Sequence, residues 1–366
     1  MKQDKIIAIT VSLITVILSI LFFINDKKEF SENENRYLTK FPEYTFSSLK
    51  SGKYTEKVKD YLTDHFPLRD YMMSLKTKTY KVIGIKEIND VYFGEDGYLI
   101  EKFKPFKNID KITKIINNFK EKTNLNIKVM LIPTSVSINE DKLPKYAINE
   151  DQIEVIEEFY NKLNTENINI HDTLLVNKEN FQIYYKLDHH WTTHGAYLAY
   201  LKYCENVGIS GITDYNIKEV SNEFYGTLYS KTNDYALKPD SIHIYELDDT
   251  SFNVIYDNEK TTNTLYDESY LAKKDKYSYF LDNNHALIQI TNEKISNENS
   301  LLIIKDSYAN SFVPFIVNHY KNVYVIDPRF YKQEISKFIK EKELSDVLLL
   351  YNLNTLDNDL GIVTLR

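Results

Sequence analysis

Hydrophobic residues fall along the chain in three patterns. From Ile6 to Ile24 runs an uncharged stretch of 19 residues, IIAITVSLITVILSILFFI, about the length a helix needs to cross a hydrocarbon core. Residues 26–60 read as a stalk and docking segment, with a Phe-Pro pair at Phe41-Pro42, a second just beyond it at Phe66-Pro67, and amphipathic helical spacing. Beyond it the periods alternate. Asp90 to Lys102 predicts a hairpin turning at Glu95-Asp96-Gly97. Ile109, Ile112, Ile115, Ile116 and Phe119 share one helical face. Ile127 to Pro133 is an apolar run broken only by Lys128, as in a buried parallel strand. A helix follows at 151–164, and 167–173 reads as a short strand.

Thr192 or Thr193 is placed to cap a helix that runs to Val207. Between about 211 and 295 the period shortens to two, in SIHIYEL, FNVIYD and HALIQIT, which predicts an antiparallel β insertion lying over the crevice. Strands at 301–305, 322–327 and 346–351 then alternate with helix-length segments at 309–320 and 330–342. Strand and helix in alternation imply an α/β fold, a doubly wound parallel sheet covered on both faces.

Composition sharpens this picture. The 366 residues are 43% apolar and 27% charged, and include 30 Tyr and 19 Phe, a globular balance with material for a large core. The net charge of −8 is spread without a basic block, which argues against a nucleic-acid partner that needs phosphates neutralised. The single cysteine, Cys204, permits no intramolecular disulfide and no Cys-based zinc cage. It sits in a helical stretch and reads as a buried thiol.

The Ile6–Ile24 run is longer than the apolar core of a cleaved signal and ends in Leu-Phe-Phe-Ile-Asn, not in a small-x-small cleavage site. It is read as an uncleaved signal anchor. Lys2 and Lys5 on one side and Lys27 and Lys28 on the other leave its charge asymmetry nearly silent. The expected organisation is a cytoplasmic stub and transmembrane anchor at 1–28, and one extracytoplasmic domain at 29–366 that carries the insertion.

Chemistry concentrates in Lys186 to Tyr197, KLDHHWTTHGAY. Asp188 and His190 stand in the loop before a helix. The strand 301–305 runs into Asp306-Ser307, again before a helix, at the carboxyl end of a parallel sheet where ligands gather. Ser307 is then a candidate nucleophile, His190 its base, and Asp188 the group that fixes the imidazole tautomer. Amides at the start of the following helix could face a developing oxyanion. A serine there is also a common helix cap. A zinc reading uses His190 and His194 at i, i+4 with Asp188, but Trp191 stands where a metalloprotease motif has Glu; no metal and no cofactor are expected. His189 reads as a packing group and His194 as a cap or packing group.

The stretch Leu187-Asp188-His189-His190-Trp191 resembles the signature of the bacterial DHHW protein family, related to SGNH-hydrolase-like O-acetyltransferases of alginate and other exported polysaccharides. Similar blocks are Glu34-Asn35-Arg36, Asp64-His65-Phe66-Pro67-Leu68-Arg69, Gly94-Glu95-Asp96-Gly97-Tyr98, Phe224-Tyr225-Gly226-Thr227-Leu228, Asp306-Ser307-Tyr308-Ala309-Asn310 and Asp327-Pro328-Arg329. The resemblance implies an SGNH-hydrolase-like fold and a triad of Asp188, His190 and Ser307. It implies a membrane-anchored extracytoplasmic O-acetyltransferase working through an acetyl-serine. The acceptor would be a cell-wall or exported polysaccharide, and a membrane-bound O-acyltransferase would donate the acetyl group. The sequence departs from the pattern at Lys305, where related enzymes have Gly before Asp or Thr. Substrate-binding or oxyanion candidates are Trp191, Tyr308, Asn310, Arg329 and Asn352, with Trp191 and tyrosines able to stack on sugars. The alternatives are a carbohydrate acetylesterase with the same triad, and a non-catalytic glycan-binding or assembly component of an export complex.

Overall fold

The computed structural model describes residues 2–365. They form two compact units, one made of the chain up to Ile88 with Ser230–Ala236, the other of Asn89–Tyr229 and Leu237 onward.

In the first unit a helix covers Lys2–Ile24 and is apolar and long enough to cross a membrane. Three helices follow at Phe46–Lys50, Lys53–Asp64 and Arg69–Val82. The polar residues of the early sequence blocks meet here. Arg36 reaches Asp64 at 2.5 Å, Arg69 pairs with Glu34, and Asp64 also accepts from the Thr39 amide. The Arg36 hydrogen bond, the largest influence, holds the Asp64 carboxyl down at about 2. Ser230–Ala236 joins through Thr77 Oγ1, which donates to the Thr232 carbonyl, and through Lys81 with Asp234.

The second unit is mixed α/β around one large, mostly parallel sheet. Its strands are β1 (Asn126–Ile132), β2 (Glu166–Asn167), β3 (Phe252–Tyr256), β4 (Lys260–Thr262), β5 (Leu287–Asn292), β6 (Ser300–Lys305), β7 (Asn322–Ile326) and β8 (Asp346–Asn352). They lie in the order β4-β3-β5-β7-β6-β8-β1-β2. The strands from β7 to β2 are parallel, and β5, β3 and β4 add antiparallel to one side. Side chains alternate between faces. Met130, Ile132, Ile303 and Leu350 pack into one core with helix Thr193–Val207. Ile127, Val129, Ile304 and Leu349 pack into a second with helices Ile109–Thr123 and Ile335–Glu341. A strand buried on both sides is apolar at nearly every position, which explains the near-continuous runs.

Three expectations are corrected. The 211–295 region is not a separate insertion. Only its first hairpin, Asn216–Phe224 with Asp240–Glu246, forms its own two-stranded sheet, whereas 252–256 and 287–292 extend the main sheet, because their apolar faces find the core beside β7. The strand expected at 167–173 is only the two-residue β2, and His171–Asn177 is helical. The helix expected at 309–320 is broken into a 3-10 turn at Ser307–Ser311 and a single α turn at Val313–Ile316. Pro314 lacks the amide that a continuous helix would need there.

Candidate active site

The loop carrying the Asp-x-His folds back on itself as a narrow antiparallel bridge between Tyr184 and Trp191. Three contacts hold it. The buried Asp240 carboxylate accepts from the amides of Lys186 and Leu187 at 3.0 and 2.8 Å. The Leu187 carbonyl accepts from the amides of Leu228 and Tyr229. Trp191 donates through Nε1 to the Tyr308 carbonyl and Ser311 Oγ at 2.9 and 3.0 Å, so it ties this loop to the turn that carries the serine.

Asp188, His190 and Ser307 form one continuous line. His190 Nδ1 lies 2.6 Å from Asp188 Oδ1, and His190 Nε2 lies 2.8 Å from Ser307 Oγ. Asp188 is buried, and burial pushes its carboxyl up. The positive fields of His189 and His190 and several hydrogen bonds outweigh this and hold it well below the usual range. Four donors reach the carboxylate: the amide and Nδ1 of His190, and the amide and hydroxyl of Thr227 at 2.7 and 3.0 Å. With Oδ1 ionised, Nδ1 carries the proton and Nε2 is free to accept from Ser307. Burial, the largest influence, lowers the His190 imidazolium to about 4 despite Asp188. The His190 ring lies flat on Tyr277, centroids 3.7 Å apart and planes at 11°. Tyr277 in turn directs its hydroxyl at Ser311 and at the carbonyls of Ser307 and Tyr308.

Ser307 opens the turn after β6 and stays partly exposed. Asp306 shapes that turn. Its carboxylate accepts from the Tyr308 amide at 2.9 Å and from the amide and side chain of Asn352 at 2.8 and 2.6 Å. Burial raises the Asp306 carboxyl to about 6. Lys305 is fully buried and donates to Asn310 and Asn284 at 2.6 and 2.9 Å, with Asp327 at 3.7 Å. Burial lowers its ammonium to about 8. Lys305 is thus a cross-brace beneath the serine turn and no bystander at a strand end.

Several proposed substrate contacts take other roles. Trp191 is sealed from solvent and presents no ring face to a sugar. Tyr308 is buried, its hydroxyl donating to the His189 carbonyl. Asn310 faces Lys305 and Asn283, and Asn352 caps helix Leu353–Asn358 while holding Asp306. Arg329 is partly exposed and pairs with the buried Asp327 at 2.5 Å. His194 does not join His190. Its Nδ1 bonds the Tyr245 hydroxyl at 2.7 Å and its ring stacks on Phe181, because the helix begins only at Thr193 and His190 lies outside it. The side chains of Asp188, His189 and His190 do cluster, with ligand atoms within 4.8 Å. An ion there would take the atoms that now orient Ser307.

Thr227, Gly226 and Tyr277 escaped the sequence reading. The signal for two of them was present in the Phe224–Leu228 block. A Cβ on Gly226 would sit 2.3 Å from the Asp188 Cβ and 2.4 Å from its Oδ2, so only glycine lets Thr227 approach the carboxylate. No local pattern marks Tyr277.

A family model described as DHHW protein matches residues 90–326. The fold is similar to that of a DHHW family protein from Eubacterium siraeum, with a TM-score of 0.66 at 24% identity over 75% of this chain and 93% of that one. It is also similar to PatB1 from Bacillus cereus carrying a sulfonyl adduct, with a TM-score of 0.63 at 23% identity over 75% and 99%. No curated protein matches the chain.

Proposed function

The chain belongs to the DHHW protein family, and from that premise we propose that it is a membrane-anchored, extracytoplasmic O-acetyltransferase with an SGNH-hydrolase-like catalytic unit, acting on a cell-wall or exported polysaccharide. The observation that carries the reading is the unbroken line from Asp188 through His190 to Ser307, at 2.6 and 2.8 Å.

Ser307 Oγ attacks the carbonyl carbon of an acetyl ester while His190 Nε2 takes its proton. The tetrahedral intermediate collapses as His190 returns that proton to the departing alcohol, which leaves acetyl-Ser307. A sugar hydroxyl then attacks the same carbonyl, gives its proton to His190, and leaves as the acetyl ester while Ser307 is restored. Asp188 holds the Nδ1 proton and stabilises the imidazolium formed at each step. General-base assistance of this kind contributes about 10²- to 10⁴-fold. The acetyl donor fits a membrane-bound acyltransferase partner, as the resemblance to the alginate enzymes implies. Water in place of the sugar gives an esterase. The hydrogen bond between His190 and Ser307 speaks against the non-catalytic alternative, for which a disengaged serine would be expected.

The test is mass spectrometry of the purified protein after incubation with a small acetyl ester. One acetyl group on the peptide containing Ser307, absent from Ser307→Ala, is the expected result. Equal labelling of both proteins would overturn the reading. Adding an oligosaccharide acceptor then separates transferase from esterase by where the acetyl group ends.

A further inference from the structure

Helix Arg69–Val82 is built inside out for a protein surrounded by water. It buries the hydroxyl residues Ser74 and Thr77. It turns outward Leu68 just before it, Tyr71, Met72, Leu75 and Val82, with Ile83 just after. Val82 is 86% exposed and Tyr71 65%. At 3.6 residues per turn these six positions fall within an arc of about 120°, an apolar stripe interrupted by the exposed Thr79, whose hydroxyl donates back to the Leu75 carbonyl. Lys76 and Lys78 stand on its two borders and are exposed. A stripe of this width facing a protein core is ordinary; facing outward and flanked by lysines, it has the layout of a helix lying in a membrane interface, where long cationic side chains reach back to the headgroups.

Two further observations select the partner. Helix Lys2–Ile24 ends five residues before strand Phe30–Ser31, a leash of at most about 20 Å at full extension. Between Tyr37 and Ile85 the chain has nine basic and five acidic residues, a surplus of four positive charges in a protein whose net charge is −8. A basic surface beside a span suits an anionic leaflet, to which each Lys or Arg near the surface adds attraction.

We propose that helix Arg69–Val82 lies in the interface of the same bilayer that holds the N-terminal helix, apolar stripe down, and binds anionic lipid. This rests on the reading of 6–24 as a membrane span. It gives the unit a second, peripheral attachment beyond the segment 26–60 read as a stalk, which limits how far the unit can tilt from the surface.

The test uses the full-length Cys204→Ala protein in nanodiscs containing phosphatidylglycerol. Single cysteines carrying a spin label are placed at Val16, Leu75, Val82 and Lys114. Collision with lipid-soluble oxygen is compared with collision with a water-soluble nickel chelate. At Leu75 and Val82 the oxygen-to-chelate ratio should rise well above that at Lys114 and approach that at Val16. Lys76→Glu with Lys78→Glu should lower it at both stripe positions and leave Val16 unchanged. Chelate access at Leu75 and Val82 equal to that at Lys114 overturns the proposal. If Val16 is also open to the chelate, the span reading has failed as well; if Val16 alone is in lipid, only the docking has. Chelate access in nanodiscs that closes in native membranes overturns lipid as the partner and points to a protein.

Discussion

At the scale of single residues, the site depends on a carboxylate that is anchored from two sides. Asp188 orients His190 with one oxygen and is held by Thr227 with the other. Asp188→Asn keeps the volume but removes the charge and favours the wrong imidazole tautomer; in a serine protease the equivalent change costs about 10⁴-fold. A similar loss in acetyl transfer, with an unchanged unfolding midpoint, is expected. His189 tests the assignment of the base. It bonds Thr227 Oγ1 at 2.7 Å and points no nitrogen at Ser307, so His189→Ala should retain most of the rate that His190→Ala loses. If the order of damage is reversed, His189 is the base. The pH profile follows from the neutral imidazole. His190 must be unprotonated to accept from Ser307, and burial places its imidazolium at about 4. Activity should therefore persist well below the ordinary histidine range near 6.5 and fall only as pH drops toward 4. An acid limb at the ordinary value would contradict a buried base.

At the scale of elements, what the sequence disclosed depends on whether a signal was local. The strands β1, β6, β7 and β8 are mostly apolar runs because both faces are covered, and such runs are legible without knowing the neighbours. Helix Thr193–Val207 is marked at both ends, by the Thr192 cap and by Gly208 at a positive φ of 73°. The Asp-x-His and the Asp-Ser were each visible as a loop entering a helix. Their supports were not. Tyr277 reaches His190 from a 3-10 turn, Lys276–Tyr279, across a gap of 87 positions, and nothing near it in sequence declares that contact. Trp191, read as a sugar platform, proved to be a clamp, because exposure is decided by what folds over a residue. Gly226 lies between these cases, noted as part of a block but with no role assigned. Its close approach to Asp188 predicts that Gly226→Ala pushes the carboxylate off His190, with an overpacking cost of about 1–3 kcal/mol. Gly211→Ala serves as the control. Its added Cβ would meet mainly a flexible leucine side chain, Leu201, so it should leave the rate unchanged. Equal activity in both variants would show that Asp188 tolerates displacement.

At the scale of the whole molecule, the chemistry and the address are separate questions. The triad geometry would be the same on either side of a membrane, whereas an exported polysaccharide is met on one side only. Charge does not choose between them: Lys2 and Lys5 precede the Ile6–Ile24 run and Lys27 and Lys28 follow it, so the positive-inside bias is nearly balanced. Retention is the first measurement. A spanning helix should keep the protein in the membrane pellet after a high-salt wash, which strips proteins held by charge alone. A soluble form shortened by roughly 25 residues would mean that the run is a cleaved signal. Orientation is the second. Lys114 is exposed on helix Ile109–Thr123 of the unit that carries Ser307, and Cys204 is buried. A membrane-impermeant maleimide added to intact cells should therefore label Lys114→Cys strongly and the parent protein hardly at all. Labelling only after the cells are broken would place the unit inside. That result would remove exported glycans as acceptors while leaving acetylation of Ser307 by a small ester intact, so the address can fail without the mechanism failing with it.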